Sequence, residues 1–132
     1  MTATPRPFDR SRIGILVVED EPLLLMDAMD MIEDAGFTVY GASHAARALE
    51  LLEQHDNIRI LFTDIDMPGT MDGLKLAHAV RERWPPVSVI VTSGHVRIGS
   101  DQMPAHGVFL SKPYRPASLV DALDALTQVR SD

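Results

Sequence analysis

The sequence lacks cysteine altogether and is short of basic residues. Without cysteine, disulfide bonds, thiolate zinc sites and cysteine nucleophiles are excluded, which fits a cytoplasmic location. Its 12 Lys and Arg stand against 19 Asp and Glu, giving a net charge of -7 and a pI near 5.1. This acidic balance argues against a broad phosphate-binding surface, so we expect no nucleic-acid partner.

Long hydrophobic runs are also missing from the chain. No segment approaches the ~18 to 20 consecutive apolar residues of a membrane span, so we expect a soluble protein without a membrane partner. Residues 1–12 contain two prolines and no apolar run, which fits neither a signal peptide nor a helix. They are predicted to form a disordered tail before a single folded domain over residues 13–130.

The folded part alternates short apolar runs with longer segments of helical spacing. Of its 132 residues 45% are hydrophobic, enough for one core. The predicted strands are Ile13–Val18, Phe37–Tyr40, Arg59–Thr63, Val87–Thr92 and Val108–Leu110. The predicted helices are Pro22–Asp34, His44–Gln54 with a possible Ser43 cap, Gly73–Trp84 with a possible Asp72 cap, and Pro116–Val129. This alternation predicts a doubly wound α/β domain with a parallel sheet between helices.

The segment Gly94–Gly107 is the weakest part of this pattern. A fourth of five helices belongs there, but Gly99 and Pro104 interrupt it and no apolar stripe repeats. We expect a short or irregular helix.

Polar side chains follow four of the predicted strands. The acids Glu19 and Asp20 follow the first, Asp64 follows the third, Thr92 ends the fourth, and Lys112 follows the fifth. Carboxyl ends of parallel strands meet at one edge of the sheet, where such domains bind ligands. Clustered carboxylates suit Mg²⁺, which commonly binds one or two carboxylates together with a phosphate. Asp64 is then the candidate nucleophile, and Thr92 and Lys112 are candidate phosphoryl-binding groups.

Each of these residues also has a simpler interpretation. Acids before Pro22 are favoured at any helix N-terminus, and Asp64 and Asp66 suit a turn. Lys112 could be a solvated lysine and Thr92 an ordinary strand residue. Only the conjunction of the four strand ends favours a phosphoryl site.

The motifs that carry these residues are "VVEDEP", "LFTDIDMPG", "MDGLKLA", "VIVTSG" and "FLSKPY". In this order they resemble the receiver domain of two-component response regulators over roughly residues 13–130. The resemblance implies a flavodoxin-like sheet of order 2-1-3-4-5 and a phosphoprotein in which Asp64 accepts the phosphoryl group.

The resemblance also implies further residue roles. Glu19, Asp20, Asp64 and the backbone carbonyl of Asp66 would bind Mg²⁺. Thr92 would be the switch hydroxyl and Lys112 the phosphate-binding lysine. By the same resemblance, Phe109, three residues before Lys112, would be the switch aromatic, and Pro113 would follow a cis peptide bond.

By the same resemblance, the phosphodonor is a sensor histidine kinase or a histidine phosphotransfer protein. The chain is expected to be a signalling protein, a monomer or weak dimer, that supports its own Mg²⁺-dependent phosphoryl transfer and autodephosphorylation. With only three residues after the last predicted helix, we expect a single-domain regulator without an output domain. It would signal by phosphorelay or by protein–protein interaction.

Two alternatives remain open at this point. "DIDMPGT" is similar to the Asp-x-Asp motif of haloacid-dehalogenase-like phosphatases, although there the motif follows the first core strand. The other alternative is a receiver-like scaffold that binds partners without phosphorylation.

Overall fold

The computed structural model describes residues 9–66, 72–94, 99 and 101–128. Its strands are β1 Gly14–Val18, β2 Thr38–Ala42, β3 Ile58–Asp64, β4 Ser88–Ser93 and β5 Val108–Ser111. The α-helices of this described part are α1 Pro22–Asp34, α2 Ala45–Gln54, α3 Gly73–Arg83 and α4 Pro116–Gln128. A short 3-10 helix, η1 Arg10–Arg12, precedes β1.

The five strands form one parallel sheet in the order β2-β1-β3-β4-β5, which confirms the predicted topology. Strand β1 lies beside β3, with Val18 opposite Thr63. Strand β3 continues to Asp64, which lies opposite Thr92 of β4. The carboxyl ends of β1, β3 and β4 are therefore adjacent in space although they are far apart in the chain.

The sheet separates two hydrophobic layers. Alternate side chains of β1 point to opposite faces, so Leu16 and Val18 pack with α2 and α3 while Ile15 and Val17 pack with α1 and α4. All five residues of β1 are buried, as expected for a central parallel strand covered on both faces. This burial fixes the strand ends that carry the polar residues.

Two predicted helix caps have different outcomes. The prediction for Asp72 is confirmed, because its side chain accepts a hydrogen bond from the Lys75 backbone N–H at 2.9 Å. The prediction for Ser43 is wrong. His44 is the cap of α2, and its Nδ1 accepts from the Arg47 backbone N–H at 3.1 Å. The imidazole nitrogen accepts a hydrogen bond from the same free backbone N–H group that a serine hydroxyl oxygen would accept from.

The predicted number of helices needs a correction. Between β4 and β5 the described residues, 99 and 101–107, form turns, so the described part of the chain has four α-helices and not five. Gly107 and Pro104 approach each other closely in this connection, with a hydrogen bond of 3.0 Å from the Gly107 N–H to the Pro104 carbonyl. This turn begins at Pro104, one of the two residues that weakened the helical pattern. None of the helices within the described ranges has the length and apolar character that a bilayer crossing requires.

The beginning of the described chain also differs from the prediction, because residues 10–12 form η1 and not part of a disordered tail. Residues 1–8 of that predicted tail lie outside the described residues. Arg10 holds η1 in place: its Nη2 donates to both carboxylate oxygens of Asp124 at 2.6 and 2.7 Å, and its Nη1 donates to the Ala35 carbonyl at 2.9 Å. Its guanidinium also lies 5.2 Å from the centre of the Phe37 ring. One side chain therefore joins η1 to α4 and to the end of α1.

We expect Arg10→Ala to lower the free energy of unfolding by about 1 to 2 kcal/mol, because a bidentate pair and a carbonyl contact are lost together. Solvent screens the ion pair and limits this loss, since the Arg10 side chain is 35% exposed. Urea unfolding followed by circular dichroism measures the change. The matched control is Arg12→Ala, an exposed arginine of the same turn that should change stability by less than about 0.5 kcal/mol. Equal effects of the two variants would contradict the assignment to Arg10.

Candidate functional site

The polar residues predicted from the strand ends meet at one edge of the sheet. Glu19 and Asp20 directly follow β1, Asp64 ends β3, and Thr92 lies in β4. Lys112 follows β5, and its backbone N–H donates to the Ser93 carbonyl at 3.0 Å. Parallel pairing brings these residues together, so all five predicted side chains border the same region.

Lys112 lies between two of the acids. Its Nζ is 3.1 Å from Asp64 Oδ2 and 3.2 Å from Glu19 Oε2. Both carboxylates are strongly buried, with side chains 4% and 7% exposed. A buried pair of acids needs a compensating cation, and Lys112 supplies one positive charge.

Glu19, Asp20 and Asp64 form an acidic group suited to a cation. Each offers one carboxylate oxygen, and these oxygens lie within 4.8 Å of one another. Hard divalent ions such as Mg²⁺ prefer oxygen ligands of this kind. The donor set therefore fits Mg²⁺, and three carboxylates exceed what the single Lys112 charge can neutralise.

The acid cluster perturbs the pKa values of its members. Burial, together with the hydrogen bond and charge of Asp64, raises the pKa of Glu19 from 4.5 to about 7, despite opposing contacts from the Glu21 N–H and Lys112. For Lys112, burial lowers the pKa, but the hydrogen bond and charge of Asp64, aided by Glu19, outweigh burial and raise the pKa above 10.5. Glu19 therefore holds a proton easily near neutral pH, whereas Lys112 stays charged.

Thr92 is 3% exposed, and its Oγ1 has no hydrogen-bond partner among the described residues. A buried hydroxyl without a partner is costly, by about 1 to 3 kcal/mol. Thr92 and Asp64 both line one cavity at the strand ends. The hydroxyl is thus available to an acceptor that enters this cavity.

Asp64 and Asp66 have different surroundings. Asp64 Oδ1 accepts from the Asp66 backbone N–H at 3.0 Å, which orients the Asp64 carboxylate. The Asp66 side chain instead accepts from Ser93 Oγ at 2.8 Å. Ser93 was not among the predicted site residues, and its place one residue after Thr92 was the available signal.

Gly73 is a second residue near the site that was not among the predicted site residues. A Cβ on Gly73 would lie 1.9 Å from the Asp64 carbonyl oxygen and 2.6 Å from the carbonyl carbon. The first turn of α3 therefore packs directly on the backbone of the central acid, and only glycine permits this approach. The "MDG" motif carried the signal, although residues 67–71 before it lie outside the described part.

Two further predicted positions lie on or beyond β5. Phe109 is partly buried and packs against the layer that contains Val91. The Lys112–Pro113 peptide bond is cis. The next residue, Tyr114, contacts Phe62 edge-on, with ring centres 5.6 Å apart. Burial raises the pKa of Tyr114 above its usual 10.0.

Comparison with known proteins adds independent findings to this geometry. The family described as response regulator receiver domain matches residues 15–124. The chain belongs to this receiver family.

Solved and curated relatives agree with that membership. A response regulator receiver protein from Sinorhizobium medicae is 30% identical, with a TM-score of 0.83 over 91% of this chain and 97% of that one. The sensor kinase CckA of Brucella abortus is 32% identical over 76% of this chain and 11% of its own length. An NtrX-like response regulator of Rickettsia bellii is 28% identical over 90% of this chain and 26% of its own. The chain thus spans only a tenth to a quarter of these curated relatives.

As a receiver domain of two-component systems, the chain is a signalling domain. Its acidic group at the end of β1 and β3 occupies the expected edge of the sheet. Family membership favours this interpretation over a haloacid-dehalogenase-like phosphatase, whose nucleophilic motif would follow the first strand of the core. The second alternative, a scaffold that is never phosphorylated, predicts that no phosphoryl group is added to the chain.

Proposed function

We propose that this receiver accepts a phosphoryl group on Asp64 from the phosphohistidine of a sensor histidine kinase or a histidine phosphotransfer protein. The supporting observation is the convergence of Glu19, Asp20 and Lys112 on one buried carboxylate, Asp64. The name of the CckA relative, a sensor kinase, supports this class of donor. Signalling would proceed by phosphorelay or by contact with a protein target.

In the proposed reaction, a carboxylate oxygen of Asp64 attacks the phosphorus atom. The bond between phosphorus and the donor's imidazole nitrogen breaks, and its electron pair stays on that nitrogen. Phosphoryl transfer of this kind depends on positioning and charge neutralisation more than on proton transfer. This requirement fits a site with acids, a lysine and a threonine.

Glu19, Asp20, Asp64 and the backbone carbonyl of Asp66 would hold Mg²⁺, which neutralises charge on the carboxylates and the phosphoryl oxygens. Lys112 would move its ammonium from Glu19 and Asp64 to a phosphoryl oxygen. Thr92 would donate its unpartnered hydroxyl to another oxygen. This last contact exists only in the phosphorylated state, so it favours a conformation in which Phe109 turns inward.

The test is incubation of the purified chain with acetyl phosphate and Mg²⁺, followed by intact-protein mass spectrometry. We expect the mass of one phosphoryl group to be added, and we expect EDTA to prevent the addition. A chain that stays unmodified would support the scaffold alternative. Sustained turnover of an aryl phosphate would support the phosphatase alternative, because a receiver holds the phosphoryl group on its own acid.

We also expect Mg²⁺ affinity to depend on pH. The raised pKa of Glu19, about 7, means that the ion must displace a proton at lower pH. Affinity should therefore be about tenfold weaker at pH 6 than well above pH 7, as measured by isothermal titration calorimetry.

In the metal-free protein, the raised pKa of Glu19 makes the free energy of unfolding depend on pH in the opposite direction. Stability falls as pH rises from 4.5 to about 7, because the folded state keeps a proton that the unfolded chain has released.

The control for this pH dependence uses two glutamates that lie two residues apart. Glu19→Gln should weaken Mg²⁺ binding and flatten its pH dependence, whereas exposed Glu21→Gln should keep the wild-type profile. A flat profile in the wild type, or a steep one in Glu19→Gln, would show that another group titrates.

A further inference from the structure

The cavity that contains the site is larger than a phosphoryl group requires. Its volume is about 500 Å³, and it extends from the strand ends to the side of α1. Cavities of ~300 to 1,000 Å³ accommodate whole small molecules. The space beyond Asp64 therefore needs an explanation of its own.

The two ends of this cavity differ in chemistry. Glu19, Asp64, Thr92 and Lys112 line the polar end. The other end is apolar, and Leu24, Ala28, Met31, Phe62 and Tyr114 line it. Asp27 also borders the cavity but is exposed, so its carboxylate stays hydrated. A matching ligand carries a phosphoryl group at one end and an apolar group at the other.

We propose that the apolar end binds the leaving group of small acyl phosphates that bear an aromatic or branched apolar group. This inference rests on the proposed function, because it needs Asp64 to accept the phosphoryl group. It adds a substrate class: such donors phosphorylate the chain in preference to acetyl phosphate.

The chemical step is a displacement at phosphorus. An oxygen of Asp64 forms a bond to phosphorus, the bond between phosphorus and the acyl oxygen breaks, and the electron pair leaves with the acyl carboxylate. No proton transfer or oxidant is needed. In-line displacement places the leaving group opposite the attacking Asp64 oxygen, so the inference requires the acyl group to reach the apolar lining of the same cavity.

The apolar end is accessible to such a ligand from solvent. Leu24 is 46% exposed at the rim, whereas Ala28 is 3% exposed inside. A phenyl group bound there would contact Leu24, Met31 and Phe62 and would be shielded from water. A small difference in apolar contact changes specificity by roughly tenfold or more, so the preference is measurable.

The experiment compares benzoyl phosphate with acetyl phosphate as donors to the purified full chain in the presence of Mg²⁺. Initial rates of phosphoryl addition are measured by intact-protein mass spectrometry over a range of donor concentrations. Each rate is divided by the donor's rate of spontaneous hydrolysis as the dianion, which breaks the same bond between phosphorus and the acyl oxygen and so corrects for intrinsic reactivity. We expect a corrected preference for benzoyl phosphate of about tenfold.

Three variants locate the source of the preference. Ala28→Leu fills the cavity from inside and Leu24→Gln makes its rim polar, so each should reduce the benzoyl-to-acetyl ratio to below about threefold. The control is Leu23→Gln, the same change at the neighbouring residue, which is 74% exposed and does not line the cavity. It should retain the wild-type ratio. Leu24→Gln alters an exposed position, so it remains informative if Ala28→Leu does not fold.

Each outcome decides the inference. A corrected ratio near one in a wild type that both donors phosphorylate overturns this inference and leaves the proposed function intact. A preference that survives both cavity variants, or disappears in Leu23→Gln, also overturns it. Absence of any adduct with either donor overturns the proposed function and the inference together.

Discussion

Asp64→Asn will abolish phosphoryl addition while leaving the fold intact. The amide has nearly the same shape as the carboxylate and can still accept the Asp66 backbone N–H that lies 3.0 Å from Oδ1. It cannot act as the nucleophile, because a neutral amide oxygen is a far poorer donor of electrons to phosphorus. We expect the rate of addition from acetyl phosphate to fall by about a thousandfold or more, to the limit of mass-spectrometric detection.

The same substitution at Asp66 is the matched control. The Asp66 side chain is bound by Ser93 Oγ at 2.8 Å and has no proposed covalent role. Asp66→Asn should therefore still gain one phosphoryl group. Addition that persists in Asp64→Asn and disappears in Asp66→Asn would move the acceptor to Asp66 and refute the assignment.

Gly73→Ala will produce the largest loss of stability that we predict. Its Cβ would overlap the Asp64 carbonyl, at 1.9 Å from the oxygen, so either the first turn of α3 or the end of β3 must move. Overpacking against backbone costs up to about 3 kcal/mol, which for a domain of this size lowers Tm by roughly 10 °C. Differential scanning calorimetry measures the shift. Phosphoryl addition should slow as well, because the displaced backbone is that of the acceptor residue.

Gly94→Ala provides the control for this effect. A Cβ at Gly94 would meet its nearest atom, the Lys112 Cβ, at 3.5 Å, which is an ordinary van der Waals distance. Its stability should stay within about 0.5 kcal/mol of the wild type. If both alanine variants had equal stability, the close approach at Gly73 would not constrain the fold.

Much of the fold could be predicted because hydrophobic periodicity is a local signal. The run Ile13–Val18 is apolar at every position, which is typical of a strand buried on both faces, and β1 is buried throughout. Helix starts were harder to predict. Both Ser43 and His44 can accept a backbone N–H, and only their geometry decides which one caps α2. The connection after β4 was ambiguous for a similar reason, since glycine and proline weaken a helix without specifying the turns that replace it.

The site could be located from the order of its residues, but its interactions could not. Strand ends indicate that Asp64 and Lys112 are neighbours, yet no sequence pattern states that Lys112 also contacts Glu19. Nor does the sequence show that Thr92 lacks a hydrogen-bond partner within the described structure or that the cavity extends toward α1. Such features depend on side-chain packing between segments that are far apart in the chain.

The balance of charge around Lys112 imposes an order of arrival on the proposed ligands. Even with a proton on Glu19, two carboxylates face one ammonium, so the resting pocket repels a doubly negative phosphoryl group at close range. A divalent cation held by Glu19, Asp20 and Asp64 would offset this repulsion and would let the phosphoryl donor approach. Without that cation, inorganic phosphate would meet the same negative potential and would leave the pocket.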